Sequence, residues 1–274
     1  MRVLHDVALA EDQRRWGDGV LATALRHPDP VVRARAALAT GRLQDSTSVA
    51  ALSPLLRDPV VTVRREAAFA LGQVGHRAAR EALERGLRDA DPGTVDLCVE
   101  ALGKLGDRAA TPALVARLAS PSPRLRGDAA VALWRLADPA ALDALVARVG
   151  DRDPEVRWRV VYALEKQSDA ARVGDAVLPA LQDPVPLVRA HAARTLGRAK
   201  VRAAVPALVA ALKDPDGPVV VNALRAIALL ADSTDTRALI PVALVLSHRD
   251  PAVRVTAATT LAERRLWGGA SPGD

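Results

Sequence analysis

The 274-residue sequence has few bulky side chains: four Trp, one Tyr and one Phe make aromatics 2% of a chain that is 50% hydrophobic. Ala, Leu and Val must therefore build the core, which favours helices packed closely on helices, since Ala and Leu lead the helix scale. A β-sandwich or barrel would need alternating β-branched and aromatic residues and is disfavoured. A single Cys rules out an intramolecular disulfide and fits a reducing compartment. The longest apolar candidate for a membrane span, Pro218 to Ala231, is interrupted by Arg225. The opening MRVLHDVALAED is too polar for a secretory signal, so a cytoplasmic protein with no membrane contact is expected. Lysine is scarce too. Only four of the 38 basic residues are Lys, and a net charge of +6 carried by Arg is a weak pointer to nucleic acid.

Proline (19) and glycine (17) are plentiful, and they recur with a period. The motif is Asp-Pro, a hydrophobic residue, Arg, and an Ala-rich stretch ending in Leu-Gly. It reads DPVVRARAALATGRL from Asp29, DPVVTVRREAAFALGQVG from Asp58 and DPGTVDLCVEALGKLG from Asp91. Further copies begin at Ser122, Asp153, Asp183, Asp214 and Asp250. The glycine position falls at Gly41, Gly72, Gly103, Trp134, Glu165, Gly197, Ala228 and Ala262, spaced by 31 residues four times, then 32, 31 and 34. Eight copies in register define a repeat array.

Each period divides into two helices. The motif stretch is helix B, with Asp as N-cap and Pro in the first turn. The preceding segment, as in TPALVARLA (111–119), is helix A, with Leu and Val at three- and four-residue spacing. Pro54, Pro112, Pro179, Pro206 and Pro241 are expected to bend the A helices or delay their start.

These residues resemble HEAT repeats, specifically the short-repeat bacterial subtype also found in phycobilisome-lyase-like proteins. The resemblance implies an all-α, right-handed α-α superhelix (a HEAT/armadillo-like solenoid) of about eight two-helix repeats over residues 17–267. Residues 1–16 are expected to form a capping helix and 268–274 a disordered tail. Trp16 and Trp267 read as caps at the two ends. The resemblance also implies a ladder in which Arg33, Arg64, Arg126, Arg157, Arg189 and Arg254 pair with Asp residues of neighbouring turns. Val95 and Val220 interrupt that Arg position, and Ser122 replaces Asp at the motif start, so the ladder should weaken there.

Counting from the motif Arg, the residue before it and those three, seven and ten after it form the core side of helix B. Cys98, three after, reads as a small buried hydrophobe. Positions one, five and eight point away from that core. In a solenoid of the resembled kind they form the concave face. Trp158, Tyr162, Trp134 and Phe69 all fall on these positions. A protein or peptide partner is therefore expected to bind there, anchored by Trp134, Trp158, Tyr162 and Val131 and flanked by Phe69 and Leu38. Arg135, Arg159, Glu165 and Lys166 would form a charged rim. The competing reading is that Trp134 folds over Gly103 and fills an interhelical groove.

Position nine holds Arg42, Gln73, Lys104, Arg135, Lys166 and Arg198, a basic stripe interrupted by nearby acids Glu66, Asp96, Glu100, Asp128 and Glu165. It reads as helix C-terminal cations, with nucleic-acid binding the alternative. No catalytic motif occurs, and the five His are too scattered for a metal set. The expectation is a monomeric, non-catalytic scaffold without a cofactor. A chromophore-lyase or isomerase accessory module is a further alternative.

Overall fold

In the computed structural model, residues 2–232 and 234–267 are described, with side chains up to residue 263. The expected tail at 268–274 and the ring of Trp267 lie outside the described residues. Every described element is helical, and no described helix is long and apolar enough to cross a membrane. The helices group into two compact units, residues 1–136 and 137–274.

The first unit contains α1 (Arg2–Asp12), α2 (Val20–Ala24), α3 (Pro30–Leu43), α4 (Val49–Leu52), α5 (Val61–Val74), α6 (Arg80–Gly86), α7 (Pro92–Leu105), α8 (Thr111–Arg117) and α9 (Pro123–Leu136). Odd-numbered α3 to α9 are the B helices and stack in sequence order, each backed by the A helix before it. Helix α1 packs on α2 and α3. Its Glu11 is paired with Arg35 and, at 2.6 Å, with Arg42. Burial alone would raise the Glu11 carboxyl, but hydrogen bonds from Arg42 and Arg35 outweigh it and hold the group low. Trp16 is half-buried in the connection to α2.

The second unit repeats the scheme with α10 (Leu142–Val146), α11 (Pro154–Ala163), α12 (Ala170–Val177), α13 (Pro186–Arg198), α14 (Val205–Ala210), α15 (Gly217–Leu230), α16 (Thr236–Leu244) and α17 (Pro251–Trp267). Here α11, α13, α15 and α17 form the B row, backed by α10, α12, α14 and α16.

The A helices are short for identifiable reasons. Pro112 and Pro206 sit in first turns, where a missing N–H costs nothing. Pro54 and Pro179 lie where α4 and α12 tighten into 3-10 turns. Only Pro241 is inside an A helix.

The motif's Asp-Pro serves two purposes, which corrects the uniform N-cap reading. Asp29, Asp91, Asp153 and, two residues inside its copy, Asp216 do accept first-turn N–H groups. Asp58 and Asp183 precede helices whose N-cap residues are Val60 and Val185. Their carboxylates, like those of Asp89 and Asp214, receive a two-pronged guanidinium from the preceding B helix. The pairs are Arg33 to Asp58, Arg64 to Asp89, Arg157 to Asp183 and Arg189 to Asp214, with both bonds between 2.7 and 3.0 Å. Each of these Arg residues also donates to the carbonyls six and five positions before it, as Arg33 does to His27 and Pro28. Desolvation works against the Asp58, Asp183 and Asp214 carboxylates, yet the Arg and backbone hydrogen bonds leave each below its usual range.

Where the Arg is missing, the Asp is missing too. Val95 stands at the Arg position and Ser120 at the acid position that would answer it; Val220 and His248 form the second such couple. Ser120 Oγ and His248 Nδ1 still accept the turn N–H groups of Ser122 and Asp250. The turn survives and only the ion pair is lost.

Position eight is a second correction. The glycines there are buried against the next B helix rather than turned outward. A methyl on Gly41 would lie 2.6 Å from the Ala70 Cα; on Gly197 it would lie 2.8 Å from the Ala226 Cα. Gly72 and Gly103 meet Ala101 and Ala132 in the same way. This close approach lets a core of small side chains reach native density.

Candidate partner-binding surface

The atoms nearest a Cβ placed on Gly103 are those of Ala132 and the stem of Arg135. In the first unit Leu38, Phe69, Val131 and Trp134 are each half-buried, while Arg135 is exposed. Lys104 Nζ lies 5.9 Å from the Phe69 ring centroid and 2.7 Å from Glu100. With Arg42 held by Glu11, two cations of the position-nine stripe are committed to neighbouring carboxylates. Asp96 is answered by Arg124 at 3.2 Å, and Arg124 also approaches Asp128. Burial still pushes the Asp96 carboxyl upward, as it does that of Glu66.

The second unit carries the denser arrangement. Position eight of α11's copy is Glu165, in the 3-10 turn that ends the helix. A carboxylate cannot support the glycine-type approach, and Arg194 of α13 binds it through Nε at 3.0 Å. The Glu165 side chain is only 8% exposed, so it is a buried ion-pair member rather than a rim residue. The guanidinium of Arg194 then lies 5.2 Å from the Tyr162 ring centroid, a cation–π contact.

His191, also on α13, completes the group. Its ring stacks on Trp158 with centroids 4.9 Å apart and planes 22° apart, and meets Tyr162 edge-on at 5.8 Å. Trp158 Nε1 donates to Glu155 at 2.9 Å, and Arg159 covers the indole at 5.2 Å. Burial lowers the His191 pKa, with the Arg194 charge adding to the effect and Glu165 opposing it. The expected anchors Trp158 and Tyr162 therefore meet on one face with Arg159 and Glu165, while Lys166 is exposed beside them. His191 and Arg194 are the members that sequence reasoning missed. Arg194 was visible at position five, but His191 occupies position two, at the edge of the face.

Elsewhere chemistry is sparse. Cys98 is fully buried, Cβ space at Gly86 is filled by its Sγ, and burial pushes its thiol up to about 12. Among the described residues, no group of three or more His, Cys, Asp or Glu side chains is placed to hold a metal ion.

Stacked helical pairs with a repeated interhelical ion pair and a glycine approach row define an α-solenoid repeat protein. The chain belongs to the HEAT-repeat family, whose model matches residues 17–94, 55–134, 111–186 and 174–244. Among solved structures, YibA of Escherichia coli is 19% identical, covers 93% of this chain and 96% of its own, and has a TM-score of 0.62. An engineered protein is 23% identical over 94% of this chain and 80% of its own, at 0.59. The complex of CpcE and CpcF of phycocyanin lyase from Nostoc sp. PCC7120 is 22% identical over 85% and 94%, at 0.50. At these identities the likeness is one of fold. No curated protein matches the sequence.

Proposed function

We propose that the protein is a non-catalytic, cytoplasmic, monomeric scaffold that binds a protein partner on its concave B-helix face, with α1 closing the first repeat. The observation that carries this reading is the Trp158–His191–Tyr162–Arg194 group. Its two large rings lie outside a core built without aromatics. His191, Arg194 and Glu155 already hold them in place, so a partner would meet pre-set anchors and little ordering entropy would be lost on binding. Trp134, Val131, Phe69 and Leu38 are the corresponding half-buried residues of the first unit, with Arg135 exposed beside them. The sealed, high-pKa thiol of Cys98 supports a role without a cysteine nucleophile.

The test is affinity capture with the wild type and with Trp158→Ala/Tyr162→Ala, read by mass spectrometry. The same partner should be recovered by the wild type and lost, by roughly tenfold or more, with the double variant. Equal recovery by a folded double variant overturns the proposal. Nucleic-acid binding would instead appear as retention on DNA that falls steeply with salt. A chromophore-lyase accessory would appear on incubation with a bilin and its acceptor protein.

A further inference from the structure

Sharing Arg194 with the aromatic group, the B row of the second unit opens a groove of about 550 Å³ between α13, α15 and α17. Arg194 and Arg198 come from α13, Arg225 and Leu229 from α15, and Val255 and Glu263 from α17. Leu229 is 60% exposed and Val255 66% exposed, so two aliphatic side chains of the groove face solvent. Arg194 is committed to Glu165, whereas Arg198 and Arg225 are exposed and have no ion-pair partner among the described residues.

We propose that this groove binds an acidic peptide segment of a partner protein, one that places an aliphatic side chain between Leu229 and Val255. The assignment rests on the reading that this face binds a protein, and it supplies the partner's chemistry. Arg198 and Arg225 would each take a carboxylate through the planar guanidinium fork, which suits that geometry better than an ammonium does. The aliphatic wall supplies the apolar centre that a charged contact alone lacks. A nucleic-acid strand fits less well. Among the described residues, no aromatic ring lines the groove to stack a base.

The experiment uses a fluorescein-labelled synthetic peptide of alternating Glu and Leu, with binding to the full chain read by anisotropy. Two control peptides replace Glu by Gln or Leu by Ser. The Glu/Leu peptide should bind, and each control should bind roughly tenfold or more weakly. Arg225→Glu and Leu229→Asp, both at exposed positions, should weaken the Glu/Leu peptide to the same extent with helicity unchanged. Trp158→Ala/Tyr162→Ala should leave it bound. Absence of binding, equal binding of the Gln control, or displacement by a single-stranded oligonucleotide overturns the groove assignment. If the peptide fails while the Trp158/Tyr162 variant still loses its captured partner, the groove falls and the scaffold reading stands.

Discussion

His191 lies flat against Trp158, 4.9 Å between ring centroids, and carries a pKa lowered first by burial and then by Arg194. A depressed histidine pKa means that folding favours the neutral imidazole. Its contribution is complete above the ordinary value of about 6.5 and is lost as pH falls through the lowered folded value. Acidification from about pH 7.5 to about 5.5 should therefore lower the Tm of the wild type more than that of His191→Phe, which keeps a stacked ring without a titrating group. Thermal melts followed by circular dichroism at both pH values decide it; equal losses would remove His191 as the cause.

Arg64 and Asp89 should behave as a unit. Arg64→Val leaves the Asp89 carboxylate poorly solvated and should cost about 2 kcal/mol in urea unfolding. Adding Asp89→Ser recreates the Val95 and Ser120 combination, and Ser can still accept the turn N–H. The double variant should be more stable than the sum of the two singles implies. Additive losses would show that the ion pair contributes nothing beyond its separate side chains.

Gln44 follows α3 with φ 56°, at the position where Gly75 and Gly106 follow α5 and α7 with φ 65° and 66°. A side chain in this left-handed region carries a cost that glycine avoids. Gln44→Gly should stabilise the protein by roughly 0.5–1 kcal/mol, a gain visible as a higher urea midpoint. No gain, or a loss, would mean that Gln44 makes a compensating contact.

Cys98 should be inert to a thiol reagent in the native protein and react rapidly once urea unfolds it, since the thiol is both sealed and raised to about 12. Rapid native labelling would contradict its placement against Gly86.

The interhelical carboxylates give a separate acid dependence. Asp58, Asp89, Asp183 and Asp214 all lie below the usual carboxylate range. Their support is present above about pH 4 and drains away as pH falls toward the lowered values. Far-ultraviolet circular dichroism should show acid unfolding that Arg189→Ala moves to higher pH or makes less cooperative. An unchanged acid transition in that variant would count against the Asp214 pair.

The repeat and its B helices were legible because Arg, Leu and Gly recur at one spacing, and Cys98 was legible because Ala or Val occupies its register elsewhere. The Gly41 row was legible as a motif but not as an approach. A helical wheel for one helix assigns its outer side to solvent, whereas Ala70 of the next helix covers it. His191 escaped because its role comes from a ring on a different helix. Trp158 lies 33 residues earlier in the sequence, and a one-residue excess over the usual spacing separates their copies. The two tasks of Asp-Pro were hidden because Asp29 and Asp58 head nearly identical strings.

Each rung joins the Arg of one copy to an Asp in the turn that leads into the following one, so no copy carries a complete rung of its own. Such copies are not interchangeable beads. A gene duplication that set the Asp89 turn after the Val95 helix would strand a carboxylate at the new seam. Where the array can lengthen or recombine is thus governed by which residue stands on the far side of each joint.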